Sequence, residues 1–268
     1  LNTQFPDRLL ATKEDAIEAK AFVDLHRLSS LPLREKEHFD CLAIDEGCAI
    51  SLPDAPAIGL NRILGLASLR QLDQAFDWME HKAGNRFLQL NVDAAPDDVK
   101  NWVRAKDLQE HGPGWAKLGY CPASRCVAPP ARVHTRVVAV NEATLFGAMM
   151  CEGFNFPQSL ISLWSAIVGK KGWSCFFALD AETPIGTGAM FVSGEYAWLG
   201  GGTTRPEFRN RGVQKALIQA RTECGVAQGV STFVVETEVP SIGKPGISHE
   251  NLRKMGFEQL YNRQNFRL

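Results

Sequence analysis

Arg205, Arg209, Arg211 and Lys215 surround one glycine in the run Thr203-Thr204-Arg205-Pro206-Glu207-Phe208-Arg209-Asn210-Arg211-Gly212-Val213-Gln214-Lys215-Ala216-Leu217. Cations grouped around a glycine suit an anionic ligand, because the glycine leaves backbone amides open to approach. Farther along, Glu236 and Glu238 lie two apart at the end of an apolar run. On a strand that spacing puts both carboxylates on one face, where either could accept a proton; solvated charges at a strand end fit the spacing equally well. His249 is a second proton-transfer candidate, because histidine is the side chain whose charge changes in the physiological range, although a surface loop is the commoner place for such a residue.

The elements around the basic run decide what it can do. Tyr196 to Gly202 is apolar and rich in glycine, as a strand with accessible backbone would be. Val213, Ala216, Leu217, Ala220, Cys224 and Ala227 fall at helical spacing and form one apolar face. Arg209 to Gln214 therefore sits at a helix N-terminus, where unpaired N–H groups and the positive end of the helix dipole favour an anion. An ordinary strand-to-helix turn carrying solvated arginines would read the same way up to this point.

The run Arg209-Asn210-Arg211-Gly212-Val213-Gln214-Lys215-Ala216-Leu217 resembles the R/Q-x-x-G-x-G/A signature and following helix of the GNAT acyltransferase superfamily. Gln214 departs from it, standing where Gly or Ala is more usual, but it still presents its own N–H. A second piece follows in order: Ser248-His249-Glu250-Asn251-Leu252-Arg253-Lys254-Met255-Gly256-Phe257 resembles the superfamily's late N-x-x-K-x-G-F helix and the strand after it. The resemblance implies that the amides of Arg209, Asn210, Arg211, Gly212, Val213, Gln214 and Lys215 hold the pyrophosphate of coenzyme A. It implies that the strand ending in Thr203 and Thr204 holds the pantetheine arm, that an amide near Thr203 meets the oxyanion, and that Asn251 contacts the coenzyme. Asn251 would equally serve as a helix-start residue that merely caps. Many members carry a Tyr acid where this chain has Leu252, so Ser248, Tyr196, water or unassisted departure of the thiolate would take its place.

Composition agrees with a soluble globular protein: 45% of residues are hydrophobic, 22% are charged and the formal net charge is -1. Neither a nucleic-acid binder nor a membrane-surface binder is suggested. No apolar run approaches the ~18 residues needed to span a bilayer. The chain begins at Leu1 without Met and shows no signal-peptide pattern, as a trimmed or partial N-terminus would. Seven scattered cysteines read as reduced residues of a cytoplasmic protein. Cys121 and Cys126 lack the second pair or His cluster that a zinc site needs, so no metal is expected.

The first half reads as a helix from Lys13 to about Leu28 behind a Thr12 cap, then strands over 39–44, 48–52 and 58–66. A helix over 68–83, a strand over 86–92 and helices over 97–108 and 113–118 follow. Trp115-Ala116-Lys117-Leu118-Gly119-Tyr120 echoes Leu252-Arg253-Lys254-Met255-Gly256-Phe257, each read as a helix ending in Gly and an aromatic opening a strand. With a shared order of elements, the echo indicates one fold present twice: an α+β protein of two GNAT-like domains, each a mixed, mostly antiparallel sheet flanked by helices. The domains expected are 1–128 and 129–268, joined by a Pro-rich linker at 123–131. Tandem GNAT halves are known, mycothiol synthase being one. The first half's turn at Ala67-Ser68-Leu69-Arg70-Gln71 has no Gly, so coenzyme A is expected only in the second.

In the second half a strand over 132–140 and helices over 142–153 and 157–168 precede three strands, 174–179, 185–192 and 196–203. The resemblance places the helical pair over the acceptor site, making Phe154, Phe156 and Trp164 candidates to touch substrate, although aromatics at helical spacing more often fill a core. It also implies that strands 196–203 and 231–236 splay apart around the thioester. The tail, 257–268, reads as a closing hairpin around Tyr261 and Asn262. The functions expected are, first, an acetyl-CoA-dependent N-acetyltransferase acting on an amine of a small molecule or peptide and, second, a catalytically silent acyl-CoA-binding sensor. A dinucleotide-binding protein is disfavoured, because G-x-G-x-x-G is absent. The acceptor and oligomeric state are not encoded legibly, a homodimer being one arrangement the sequence allows.

Overall fold

The computed structural model describes residues 12–122, 133–241, 243 and 246–268. The expected linker and the expected domain boundary at 128 both fall outside these residues. The first half runs α1 (Lys13–Leu28), α2 (Leu31–Lys36), β1 (Asp40–Ile44), β2 (Gly47–Ser51), β3 (Asn61–Leu64), α3 (Leu69–Glu80), β4 (Phe87–Leu90), α4 (Asp97–Ala105), β5 (Gln109–Glu110) and β6 (Trp115–Tyr120). The second runs β7 (His134–Val137), α5 (Ala143–Phe154), α6 (Ile161–Ser165), β8 (Trp173–Asp180), β9 (Thr183–Ser193), β10 (Tyr196–Thr204), α7 (Val213–Ala227), β11 (Thr232–Glu238), α8 (Ile247–Lys254) and β12 (Glu258–Arg267). Local chemistry starts several of these elements. The Thr12 hydroxyl accepts from the Asp15 amide at 3.1 Å and opens α1. Ser68 and Gln71 form a reciprocal capping box on α3.

The fold occurs twice, as the order of elements indicated. β3 and β4 pair in parallel with α3 between them, and β10 and β11 pair in parallel with α7 between them. The echo that suggested the repeat has another basis, however. Trp115–Tyr120 is a strand, not a helix end: Ala116 and Leu118 face one apolar core while Lys117 points into the opposite, charged side. That alternation is the period of a strand. The counterpart of α8 is α4, and the left-handed turn after each falls on Asp107 (φ 51°) and Gly256 (φ 90°).

The tail is also corrected. Glu258–Arg267 is one long strand with an irregularity between Gln259 and Tyr261, because no residue in it reverses the chain and each end has a different neighbour. β12 lies between β4 of the first half and β6, while β6 in turn pairs with β11 of the second. The order β1-β2-β3-β4-β12-β6-β11-β10-β9-β8-β7 is therefore continuous, and the last strand of each half completes the sheet of the other. The cores record this exchange. Phe266 of β12 is buried with Leu72, Met79 and Val99 beneath α3 and α4, and Ala116 and Leu118 of β6 are buried with Ile218, Phe233 and Leu252 beneath α7 and α8. On the other face, α1 lies across the junction, with Phe22 and Leu25 in one cluster with Trp198 and the α5–α6 pair. Burying a side chain of this size stabilises by about 1.5–3 kcal/mol, so the exchange ties the stability of each half to the other.

Candidate active site

β10 and β11 pair only at Tyr196–Thr232, Ala197–Phe233 and Trp198–Val234, and beyond that they part. β10 also loses register with β9 between Gly200 and Thr203, around Gly201 at φ 61°. A bulge of this kind bends a strand and leaves backbone groups unpaired. Arg221 of α7 takes up two of the freed acceptors: it donates to the carbonyls of Ala189 (3.1 Å) and Gly200 (3.0 Å), and also to Leu217 (2.9 Å). Its guanidinium is buried among carbonyl dipoles, and burial brings its pKa down to about 10. The parted strands open a cavity of about 440 Å³, lined by Leu199–Gly202 on one side and Val235–Pro240 on the other. The splay between these two strands is where it was expected.

The start of α7 reaches this cavity through Gln214 of its first turn and Ile218 of its second. Gly212 caps the helix at φ 86°, with Asn210 also left-handed at φ 64°, and no side chain bonds the helix's first amides. Arg209, Asn210 and Arg211 are exposed and Lys215 is half-buried; the Arg211 guanidinium lies 5.0 Å from the Phe208 ring. Val213 is buried and anchors the turn. Gln214 and Asn251 meet directly, the Asn251 amide donating to Gln214 Oε1 at 2.7 Å. Thr203 and Thr204 instead pair with Thr187 and Gly186 of β9, and the Thr203 hydroxyl is buried 2.7 Å from that of Thr187; neither lines the cavity. The corresponding turn of the first half is closed: Ser68 Oγ accepts from the Gln71 amide, and Gln71 Oε1 accepts from the amides of Ala67 and Ser68. Its amides are satisfied internally, whereas those of α7 stay available to an anion.

Glu236 and Glu238 both line the cavity, as their spacing allowed, but their surroundings differ. Glu238 is exposed at the strand end, whereas the Glu236 side chain is 8% exposed and belongs to a buried ionic cluster. Asp15, Glu18 and Glu236 supply its acids, and Arg62, Lys117 and Arg263 its cations. Glu236 accepts from Arg62 and Lys117 at 3.3 Å and from Arg263 at 3.2 Å; Glu18 contacts the same three cations. Burial raises the Glu236 pKa above the ordinary carboxylate range, the charge of Glu18 adds to that, and Arg62 and Lys117 pull against it. Glu18 shows the opposite outcome. Burial opposes its charge, but Arg263, Arg62 and Lys117 together hold it well below that range. His249 lines the cavity with Nε2 2.7 Å from Gln259 Oε1, Ser248 lies beside it, and Leu252, at the place of the usual Tyr, is buried in the wall.

The rest of the wall is aromatic and comes partly from the first half, whose expected role includes walling the acceptor cleft, although the sequence singles out none of its residues for that. Phe22 and Trp115 face the cavity with Gly59 and Leu60, and Phe154, Phe156 and Trp164 close it from α5 and α6. The latter three form a ladder, with centroids 5.6 Å apart for Phe154–Phe156 and 6.0 Å for Phe156–Trp164, whose planes lie 12° apart. Nothing in the spacing of Phe22 or Trp115 marked them, because the exchange of β6 and the crossing of α1 bring them there.

No family model matches the sequence and no curated protein matches it. Solved structures match the fold along nearly its whole length. A GCN5-related N-acetyltransferase from Sphaerobacter thermophilus aligns over 99% of this chain and 96% of its own at TM-score 0.60 and 14% identity. One from Kribbella flavida aligns over 94% and 95% at 0.59 and 14%. A tandem GNAT protein from the clavulanic acid biosynthesis pathway aligns over 82% and 78% at 0.57 and 15%. The chain has the α+β GNAT fold, in its tandem form.

Proposed function

We propose that this protein is an acetyl-CoA-dependent N-acetyltransferase acting on an amine, with the coenzyme held by the second half, 129–268, and the first half, 1–128, serving as scaffold and wall. The observation that carries this reading is the parted β10–β11 pair, whose cavity has an uncapped helix N-terminus at one end and a buried carboxylate in its side. The residues present suit the coenzyme. The amides of Arg209 to Lys215 and the side chains of Arg209, Arg211 and Lys215 would meet its phosphates, the free edge of Leu199–Gly202 would run along the pantetheine arm up to Thr203 and Thr204, and the Asn251–Gln214 pair would bound it on the α8 side. Acetyl-CoA supplies an activated acyl group.

Glu236 accepts a proton from the incoming ammonium or amine, directly or through water, and Glu238 at the mouth favours approach of a cation. The neutral amine nitrogen would form a bond to the acyl carbon and the bond from that carbon to sulfur would break; the nitrogen's second proton would pass through water to the departing thiolate, and Glu236 would return its proton to solvent. A thiol pKa of about 8.5 makes that departure accessible without an acid at Leu252. An unpaired backbone amide of β10 polarises the acyl carbonyl. Release of coenzyme A thiol from acetyl-CoA against an amine panel, beside calorimetric titration of acetyl-CoA, tests the reading. Turnover on any amine supports it, and tight binding with no turnover on a broad panel overturns it in favour of a sensor.

A further inference from the structure

We infer that the acceptor is a primary amine carried on a flat, ring-bearing apolar body, seated in the chamber that the two halves build together. This rests on the acetyltransferase reading above and names its substrate class. The chamber is the aromatic part of the cavity lining. Phe22, Leu60 and Trp115 form its inner wall, and the parallel ladder of Phe154, Phe156 and Trp164 its outer one. Stacked rings with nearly parallel planes accept a further ring face to face or in offset, a geometry worth about 0.5–1.5 kcal/mol beyond its buried area. Phe154, at the end of that ladder, is 40% exposed, so the ladder reaches solvent there.

Charge argues against a polycation. Each carboxylate of the cluster already faces cations, and three acids match three bases. The inner rings are engaged from behind as well, because the Arg62 guanidinium lies 4.8 Å from the Phe22 centroid and 5.7 Å from that of Trp115. A long, flexible amine bearing several charges would place its inner charges against this wall, where the acids already face cations, and Glu238 at the mouth is the acid of the lining outside that cluster. A single amine directed at Glu236, with an apolar ring behind it, brings one polar group to the one acid of the cluster that lines the cavity and sets the rest of the molecule against apolar wall. A long acyl chain is a poorer occupant, since a flexible chain gains nothing from ring stacking.

The experiment compares kcat/KM with saturating acetyl-CoA for 2-phenylethylamine and tryptamine against butylamine, spermidine and alanine, and repeats the best acceptor with octanoyl-CoA. Ring-bearing amines are expected to exceed butylamine by about tenfold or more, as burial of a ring's additional carbons implies, with acetyl-CoA preferred to octanoyl-CoA. Two variants locate the effect: Trp164→Leu shortens the ladder, and Gly59→Leu fills the chamber from the first half. Room exists for the latter, because a Cβ at Gly59 meets its nearest atoms, Arg62 Nη2 and Phe22 Cζ, at 3.9 Å. Each should raise KM for the ring amine about tenfold while calorimetric affinity for acetyl-CoA stays unchanged. Equal or faster turnover of spermidine or butylamine, or a preference for octanoyl-CoA, overturns the inference while leaving the acetyltransferase reading intact. Failure to bind acetyl-CoA at all overturns both.

Discussion

Glu18 on α1 and Glu236 on β11 hydrogen-bond to one another and share Arg62, Lys117 and Arg263, so the carboxylate nearest the cavity is electrostatically set by a helix of the other half. Two neighbouring carboxylates resist joint ionisation, and here the pKa of Glu236 is raised while that of Glu18, held by the three cations, is depressed. The acid–base behaviour of the site thus depends on residues from both halves.

The first consequence is a pH profile. Glu236 acts as a base only when ionised, so kcat/KM should climb as pH rises through its raised pKa. Glu236→Gln should remove that limb and lower kcat by about 10²–10⁴-fold, with acetyl-CoA affinity by calorimetry unchanged. An unaltered rising limb in the variant would assign the base elsewhere.

Stability should respond to acid through Glu18. Its folded pKa is depressed, so its contribution is fully present above the unfolded value of about 4.3 and is lost as pH falls through the folded value. Glu18→Gln leaves three buried cations with only Asp15 and Glu236 as acids and should cost about 3–5 kcal/mol at neutral pH. Urea midpoints measured from pH 3 to 8 would show a lower plateau and a shallower acid slope than the parent.

Arg221 should be a positioning residue for the bulge. Arg221→Met keeps much of the side-chain volume but leaves the Ala189 and Gly200 carbonyls without their donor. A loss of about 2–4 kcal/mol in urea unfolding is expected from buried acceptors left unpaired. Acetyl-CoA binding should weaken with it, whereas a substitution at an exposed position of the same helix, such as Glu223→Ala, should leave that binding unchanged.

Coenzyme stoichiometry should be one per chain. Gly212→Ala places a side chain at φ 86°, in open space but in a strained backbone, and should weaken acetyl-CoA binding at least tenfold through distortion of the amides. A residual second site of unchanged affinity would show that the self-capped turn at Ser68 also binds the coenzyme.

The legible parts of this molecule are those governed by local chemistry. Thr12 announces α1, the period of Val213 to Ala227 announces α7, and two glutamates two apart announce one face of β11. The misread parts depend on partners distant in sequence. Trp115–Tyr120 ends in a Gly and an aromatic as a helix-to-strand junction would, yet β11 and β12 on either side make it a central strand. Glu236 looks solvated beside Glu238, and only Arg62, Lys117 and Arg263, brought from three other strands, make it a buried member of an ionic cluster. Of the aromatic chamber, Phe154, Phe156 and Trp164 are candidates from the sequence, whereas Phe22 and Trp115 escape notice because they reach it through tertiary structure.

The position of β12 has a consequence for biosynthesis. It follows every other strand in the chain, yet it fills the gap between β4 and β6. While the chain emerges from the ribosome, the early half must wait with both of those strand edges unmated until Glu258–Arg267 has been translated. Such a nascent edge invites aberrant pairing, so chaperone demand should peak late in translation, and the sheet should close last at its middle.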